Sequence, residues 1–404
     1  MDRMRVLQVS DHFPPQTGGL AIQVERLGAR LIAAGHEAAV FTVGGPSEST
    51  MPDGMTVRKH PHSFGRVPGV YQPGSPPFHP PWPDPEFRRG LRQMIEAFRP
   101  DVLHVHGWSV FSAAALAMGR PPIVCSLHDY GMLCPKKSLV RHGSVCAEGR
   151  GLRCVTCDSE AQPTPRRSAL SAALSAAWPW LQSRVFRFLA VSSYVRERHL
   201  QSGLKGERIE VIPPLVDPLP DGPPAERGRP EPYVLYVGPG DEGPHKGRSV
   251  LLRAFARIDP MDHLLLLVGA REQTAAGSAI EDAGYLRGES LAAAFRDASM
   301  VVVPSVWADP CPAVAVEALS VGRPVIASAI GGLTDIVEHE RTGLLVPPAD
   351  EEALAAALQR LVADGELRAS MGGRARGSVA RYSTDAVLPP LLETYQAAVD
   401  SVRR

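Results

Sequence analysis

The chain has 404 residues, 44% of them hydrophobic and 21% charged, which is enough for two domains with sizeable cores. Basic and acidic residues balance at 43 each, so the overall basic excess that a nucleic-acid partner asks for is missing. No stretch approaches the roughly 20 apolar residues of a bilayer span, and the first apolar run is too short for a signal-peptide core.

In chain order, Val6–Ser10 reads as a strand, and its loop carries Gly18-Gly19. Leu20, Val24, Leu27 and Leu31 recur at helical spacing, Gly35 stops that helix, and Ala38–Val43 is the next strand. Residues 61–85 form a long Pro-rich loop. Strands follow at Val102–Val105 and Ile123–Leu127. Residues 166–200 read as helical around a strand at Phe188–Ser192, and Arg208–Ile212 closes this half. Residues 213–232 are a Pro-rich linker. A second alternating unit has strands at Tyr233–Val237, Leu264–Val268, Met300–Val303, Val325–Ala327 and Leu344–Val346. The expected class is α/β: two doubly wound parallel-sheet domains, 1–212 and 233–383, with a final helix in 384–404. Ligands of such domains lie at the carboxyl ends of the strands.

The richest stretch runs from Val301-Val302-Val303-Pro304-Ser305 through Asp309 to Glu317-Ala318-Leu319 and Gly322-Arg323-Pro324-Val325-Ile326. It predicts a strand, a loop, a helix and a second strand. Asp309 stands before the helix and Glu317 about two turns into it. Cys311, Pro312, Ala313 and Val314 would form a helix N-terminus whose unpaired N–H groups, those of the non-proline residues, suit a diphosphate. The carboxylates, having only acceptors, suit hydroxyl groups. Asp309 can alternatively be the N-cap of that helix, or serve both roles.

With its flanks "VVVPS", "EAL", "GRPVIAS" and "GGLTDIV", this stretch resembles the acidic-residue, seven-spacer, Glu signature of family 4 glycosyltransferases, retaining enzymes of GT-B fold. The usual first Glu is Asp309 here, and Pro310-Cys311 replaces the usual aromatic-Gly pair. The resemblance implies two Rossmann-like domains facing a central cleft, with the last helix returning to the N-terminal domain. It also implies that the amides at Gly18 and Gly19 approach the donor phosphates, that His128 contacts the donor sugar, and that Glu317 accepts from the ribose and Asp309 from the sugar. Gly238 would open a loop whose Lys246 stabilises the departing diphosphate. Pro239 holds the place of the family's Arg, so either His245 or Arg248 compensates or the clamp on the diphosphate is weaker. The Gly284–Gly288 segment with Arg287 would border the base. On the acceptor side stand His106, Asp129 and Tyr130. His104 and His106 share one strand face; a core histidine beside a cleft residue fits this better than a metal pair, since no third ligand is evident. The bland alternative for Asp129 is a helix cap.

Cys134, Cys146, Cys154 and Cys157 fall in a segment with little core pattern. Structural zinc, disulfides and free thiols all fit that spacing. Arg166, Arg167, Trp178, Trp180, Arg184 and Arg187 suggest either a membrane-surface helix or, preferably, a partly buried one.

The expected function is a cytoplasmic retaining hexosyltransferase with a nucleotide-diphosphate donor, UDP favoured over GDP. It would use no catalytic cofactor and no essential enzymatic base, because the leaving phosphate takes the acceptor proton. The acceptor would be a small natural product or cell-envelope precursor, lipid-linked in one version. A non-catalytic partner subunit and a sugar-nucleotide epimerase are the rival readings.

Overall fold

Backbone hydrogen bonding sorts the apolar runs into two main sheets. The structure, a computed structural model, describes residues 3–16, 18–63, 79–117, 121–141, 144–147, 154, 157, 165–219, 232–239, 244–269 and 279–403, the side chains of 117, 165–170 and 244 excepted. The chain divides into a first unit, Met1–Leu215 with Thr384–Arg404, and a second, Val216–Ser383. Most of the expected linker and of the Pro-rich loop lies outside the described residues.

In the first unit the strands are β1 (Arg5–Ser10), β2 (Glu37–Val43), β3 (Ser47–Thr50), β4 (Thr56–His60), β5 (Val102–His106) and β6 (Ile123–Leu127). A small hairpin follows, β7 (Val140–Arg141) and β8 (Ser144–Val145), and then β9 (Arg187–Ala190) and β10 (Ile209–Val211). The main sheet runs β10-β9-β6-β5-β1-β2-β4-β3. Its pairings are parallel except for the antiparallel edge pair β3–β4. The edge hairpin was not among the predicted elements. Every residue of β3 is exposed, so no apolar alternation marks it. The central strands are buried on both faces and read as continuous apolar runs.

The helix Gly19–Ala33 buries Ala21, Val24, Leu27, Gly28 and Leu31 against the sheet. The final helix, Thr384–Arg403, packs on the same core through Val387, Leu391, Tyr395 and Val399. In the helix Pro165–Arg184, Ser171, Leu174, Trp178 and Leu181 are buried at helical spacing. Its apolar stripe, Trp178 included, therefore faces protein. Among the described residues no helix is long and apolar enough to cross a membrane.

The second unit contains β11 (Tyr233–Val237), β12 (Leu264–Val268), β13 (Ile280–Asp282), β14 (Met300–Val303), β15 (Val325–Ser328) and β16 (Gly343–Val346). They form one parallel sheet, β13-β12-β11-β14-β15-β16, with a hydrophobic cluster on each face. Strand β13 was also missed; it is short and only partly buried.

Each sheet has a point where strand order reverses. In the first unit it lies between β1 and β5, and in the second between β11 and β14. Crevices at such points, outside the carboxyl ends of the strands, are where doubly wound sheets bind ligands.

Candidate active site

In the second unit, β11 ends at Gly238 and β14 runs into Pro304-Ser305. The short helix Pro244–Lys246 is tied to the β14 loop by Val306 N–H donating to the His245 carbonyl at 2.9 Å. Gly247 follows with φ +74°, and a Cβ there would lie 1.8 Å from the Pro304 carbonyl oxygen. Only glycine allows both the left-handed turn and this contact. Gly247→Ala is therefore expected to cost about 1–3 kcal/mol. It should also weaken nucleotide binding, and urea unfolding with nucleotide titration checks both effects.

That turn delivers Lys246. Its ammonium donates to Asp309 Oδ2 and lies 5.7 Å from the Trp307 ring centroid. Asp309 is buried, 5% exposed, whereas the Lys246 side chain is 36% exposed. His245 is exposed beside the same Trp307, with ring centroids 6.1 Å apart. Arg248 does not compensate for the missing Arg at position 239. It is buried and faces the Asp282 carboxylate at 3.9 Å, which holds it inside the unit.

The helix after the loop is Ala313–Ser320, with Pro312 at its N-cap and no side-chain cap bond. Asp309 is therefore not the cap. A residue before proline is pushed out of the helical region, which excludes Asp309 and Cys311 from a helix. Glu317 consequently sits one turn into the helix rather than two. Cys311, Ala313 and Val314 are half-buried, and Cys311 packs on the core below. Burial pushes the Cys311 thiol far up, so it stays protonated. Gly332 N–H donates to the Asp309 carbonyl at 2.7 Å, so the Gly331-Gly332 pair closes onto the Asp309 loop. Arg287 is exposed, 5.8 Å from the Tyr285 ring centroid, at the start of the helix Gly288–Asp297.

In the first unit, the helix Gly19–Ala33 starts without a side-chain cap. Gly18 has φ +140°, and the space over both Gly18 and Gly19 is open. Its amides are thus reachable by a ligand. At the end of β5, His106 Nδ1 lies 2.9 Å from His128 Nε2, just past β6. His104 contacts Ser126 Oγ at 2.8 Å through Nε2 and the Tyr395 hydroxyl at 2.6 Å through Nδ1. It is a core histidine. Asp129 accepts from Gly131 N–H at 2.7 Å, which makes it a turn residue and not a helix cap. Burial raises its carboxyl, against the opposing pull of Lys137. Tyr130 is fully buried beside Tyr194 and presents no side chain to an acceptor, contrary to expectation.

The sequence pattern of Glycosyltransferase Family 4 matches residues 17–218, and that of the group 1 glycosyl transferases matches residues 231–364. The chain belongs to glycosyltransferase family 4. The enzyme is 27% identical to the phosphatidyl-myo-inositol mannosyltransferase of Mycolicibacterium smegmatis, over 97% of this chain and 94% of that one. It is 26% identical to the D-inositol 3-phosphate glycosyltransferase of Jonesia denitrificans, over 94% and 91%. Among solved structures, sucrose-phosphate synthase from Thermosynechococcus elongatus superposes with a TM-score of 0.74 at 24% identity, covering 99% of this chain and 100% of that one. An Anabaena protein in complex with UDP and glucose gives 0.72 at 17%, covering 98% and 100%. The fold is that of the GT-B glycosyltransferases, and the enzyme is a glycosyltransferase.

The glycosyltransferase also has a polar cluster that sequence reasoning missed. Asp11, one residue past β1 and fully buried, accepts from the Trp108 and Ser109 amides at 2.9 and 2.8 Å. Lys137 donates to Asp11 at 3.2 Å, lies 4.0 Å from Asp129 and 4.4 Å from the Trp108 ring centroid. The available signal was an acidic residue at the end of the first strand. No disulfide joins Cys134, Cys146, Cys154 and Cys157, and among the described residues no group of three or more His, Cys, Asp or Glu is placed to hold a metal. Most of residues 148–156, which link Cys146 to Cys157, lie outside the described residues.

The buried groups predict how the enzyme's stability changes with pH. Burial lowers His104 to about 3 and His128 to about 4, from 6.5. Unfolded histidines bind protons below about pH 6.5 and these do not, so their contribution is present above that value and is lost as pH falls toward 4. For Asp11, burial raises the carboxyl, but Lys137, two histidines and the Trp108 amide outweigh it and leave it lowered. Its contribution is complete above 3.8 and is lost at still lower pH. Urea unfolding should show stability falling between pH 7 and 5, with a smaller slope in His104→Gln.

Proposed function

We propose that this enzyme is a retaining hexosyltransferase that moves a hexose-type sugar from a nucleotide diphosphate, UDP in preference to GDP, to an acceptor hydroxyl. The observation that carries the reading is the arrangement at the switch point of the second unit. Lys246 and Asp309 are paired before the uncapped helix N-terminus at Ala313, with Glu317 one turn inside. The Anabaena fold neighbour bound to UDP and glucose supports UDP. Glu317 would accept from the ribose hydroxyls. Asp309, held by Lys246, keeps lone pairs for a sugar hydroxyl; being one methylene shorter than Glu, it requires a closer sugar or a bridging water. The Lys246 ammonium has three N–H donors and spends one on Asp309, leaving two for phosphate oxygens. With the helix amides it would stabilise charge on the departing diphosphate.

In the first unit, His128 would hydrogen-bond the transferred sugar, and the open amides at Gly18 and Gly19 would meet phosphate. Attack on the same face, with the leaving phosphate taking the acceptor proton, accounts for retention without an enzymatic base. A small natural product or cell-envelope precursor is the proposed acceptor class, and the cytoplasm the proposed location.

A thermal-shift screen with UDP, GDP, TDP and their sugars tests the donor assignment. A ligand at one hundred times its Kd adds about 2.7 kcal/mol to the native state. UDP should give the largest rise, and no response to any nucleotide would overturn the reading. Turnover of the donor alone to a new sugar nucleotide would identify an epimerase instead.

A further inference from the structure

Three imidazoles stand at the carboxyl ends of β5 and β6, and their hydrogen bonds are asymmetric. Both nitrogens of His104 are engaged, by Ser126 and by Tyr395 of the last helix. The His104 ring lies against that of His106, with centroids 4.1 Å apart and planes tilted by 39°. His106 is 1% exposed. Its Nδ1 faces His128 Nε2, while its own Nε2 is buried with no hydrogen-bond partner among the described residues. A small cavity of about 30 Å³ borders these rings, lined by Gln23, Ser126, His106, His128, Leu215 and Val387 among others.

One proton lies between His106 Nδ1 and His128 Nε2 when both rings are neutral. If His128 supplies it, His106 must carry its own proton on Nε2, as a buried N–H without an acceptor. If His106 supplies it, Nε2 is left as a bare lone pair. Orphaned buried N–H groups are rarer in proteins than under-satisfied acceptors, which favours the second arrangement.

From this asymmetry we infer that His106 is a positioning residue: it donates from Nδ1 to His128 Nε2 and so holds His128 as the Nδ1–H tautomer, a hydrogen-bond donor toward the sugar. The inference rests on the proposed role of His128. Burial keeps His106 well below its ordinary value and His128 near 4, so both rings are neutral at working pH. His128 then meets the ligand with an N–H that suits an oxygen lone pair of the sugar hydroxyl it faces. His104, locked at both ends, keeps His106 from turning toward another partner.

Nitrogen-15 NMR of the wild-type enzyme, with His128 assigned by its loss in His128→Gln, reads the tautomer directly. A protonated Nδ1 and bare Nε2 on His128 are expected, and the reverse overturns the proposal whether or not transfer has been detected. In turnover, His106→Leu should lower kcat about tenfold, the effect of one hydrogen bond, with UDP affinity unchanged. His106→Asn, whose amide can donate from the Nδ1 position, should retain most of the rate. Equal losses in Leu and Asn would reduce His106 to a structural residue. If His106→Leu does not fold, the wild-type tautomer decides alone.

Discussion

Lys246→Ala is expected to lower kcat about 100- to 1000-fold, the usual effect of removing one preorganised donor from developing charge. Its ammonium touches Asp309 and, in the proposed mechanism, the diphosphate as it departs. With Pro239 where the family carries Arg, and Arg248 turned to Asp282, the described loop brings no other Arg or Lys to this point beside the exposed His245. The substitution also strands a carboxylate that is 5% exposed. Breaking a fully buried pair costs about 3–5 kcal/mol. Here the Lys246 side chain is 36% exposed, and solvent screening brings the expected loss to about 1–2 kcal/mol. Adding Asp309→Asn should restore most of that stability and none of the rate. Urea unfolding beside steady-state kinetics separates the two, and a Lys246→Ala enzyme with unchanged kcat would remove Lys246 from the mechanism.

Glu317→Ala should weaken UDP binding about 10- to 100-fold, because hydrogen bonds to an ionised acceptor contribute about 1.5–3 kcal/mol. Glu317→Gln keeps the shape and one acceptor, and should lie between. The loss belongs to the nucleoside, so free UDP and UDP-sugar should weaken alike. Calorimetric titration checks this. Weakening confined to the sugar nucleotide would instead place Glu317 on the sugar.

Much of this architecture was legible because its strands are buried on both faces. Runs such as Leu264–Val268 and Met300–Val303 bury nearly every residue and read as continuous apolar segments. The β3–β4 hairpin hid because an exposed edge carries no such pattern. Glu317 and Lys246 stood out through the family resemblance of the segments that carry them. Glu317 lies one turn into its helix and not two, because Pro310 and Pro312 keep the residues before them out of the helical region. Arg248 was misassigned because its partner, Asp282, lies on the unpredicted β13. The contacts Asp11–Lys137 and His104–Tyr395 join residues 126 and 291 positions apart, and no local spacing encodes such pairs. Their chemistry was visible residue by residue, but the pairing came only with the fold.

The central claim, retaining sugar transfer from a nucleotide diphosphate, is tested most directly by proton NMR of the wild-type enzyme with α-linked UDP-, GDP- and TDP-hexoses and a panel of polyol acceptors. Release of UDP is expected, together with a product whose anomeric coupling is that of an α-linkage. A β-linked product, or binding of nucleotide without release of nucleoside diphosphate from any donor, would contradict it.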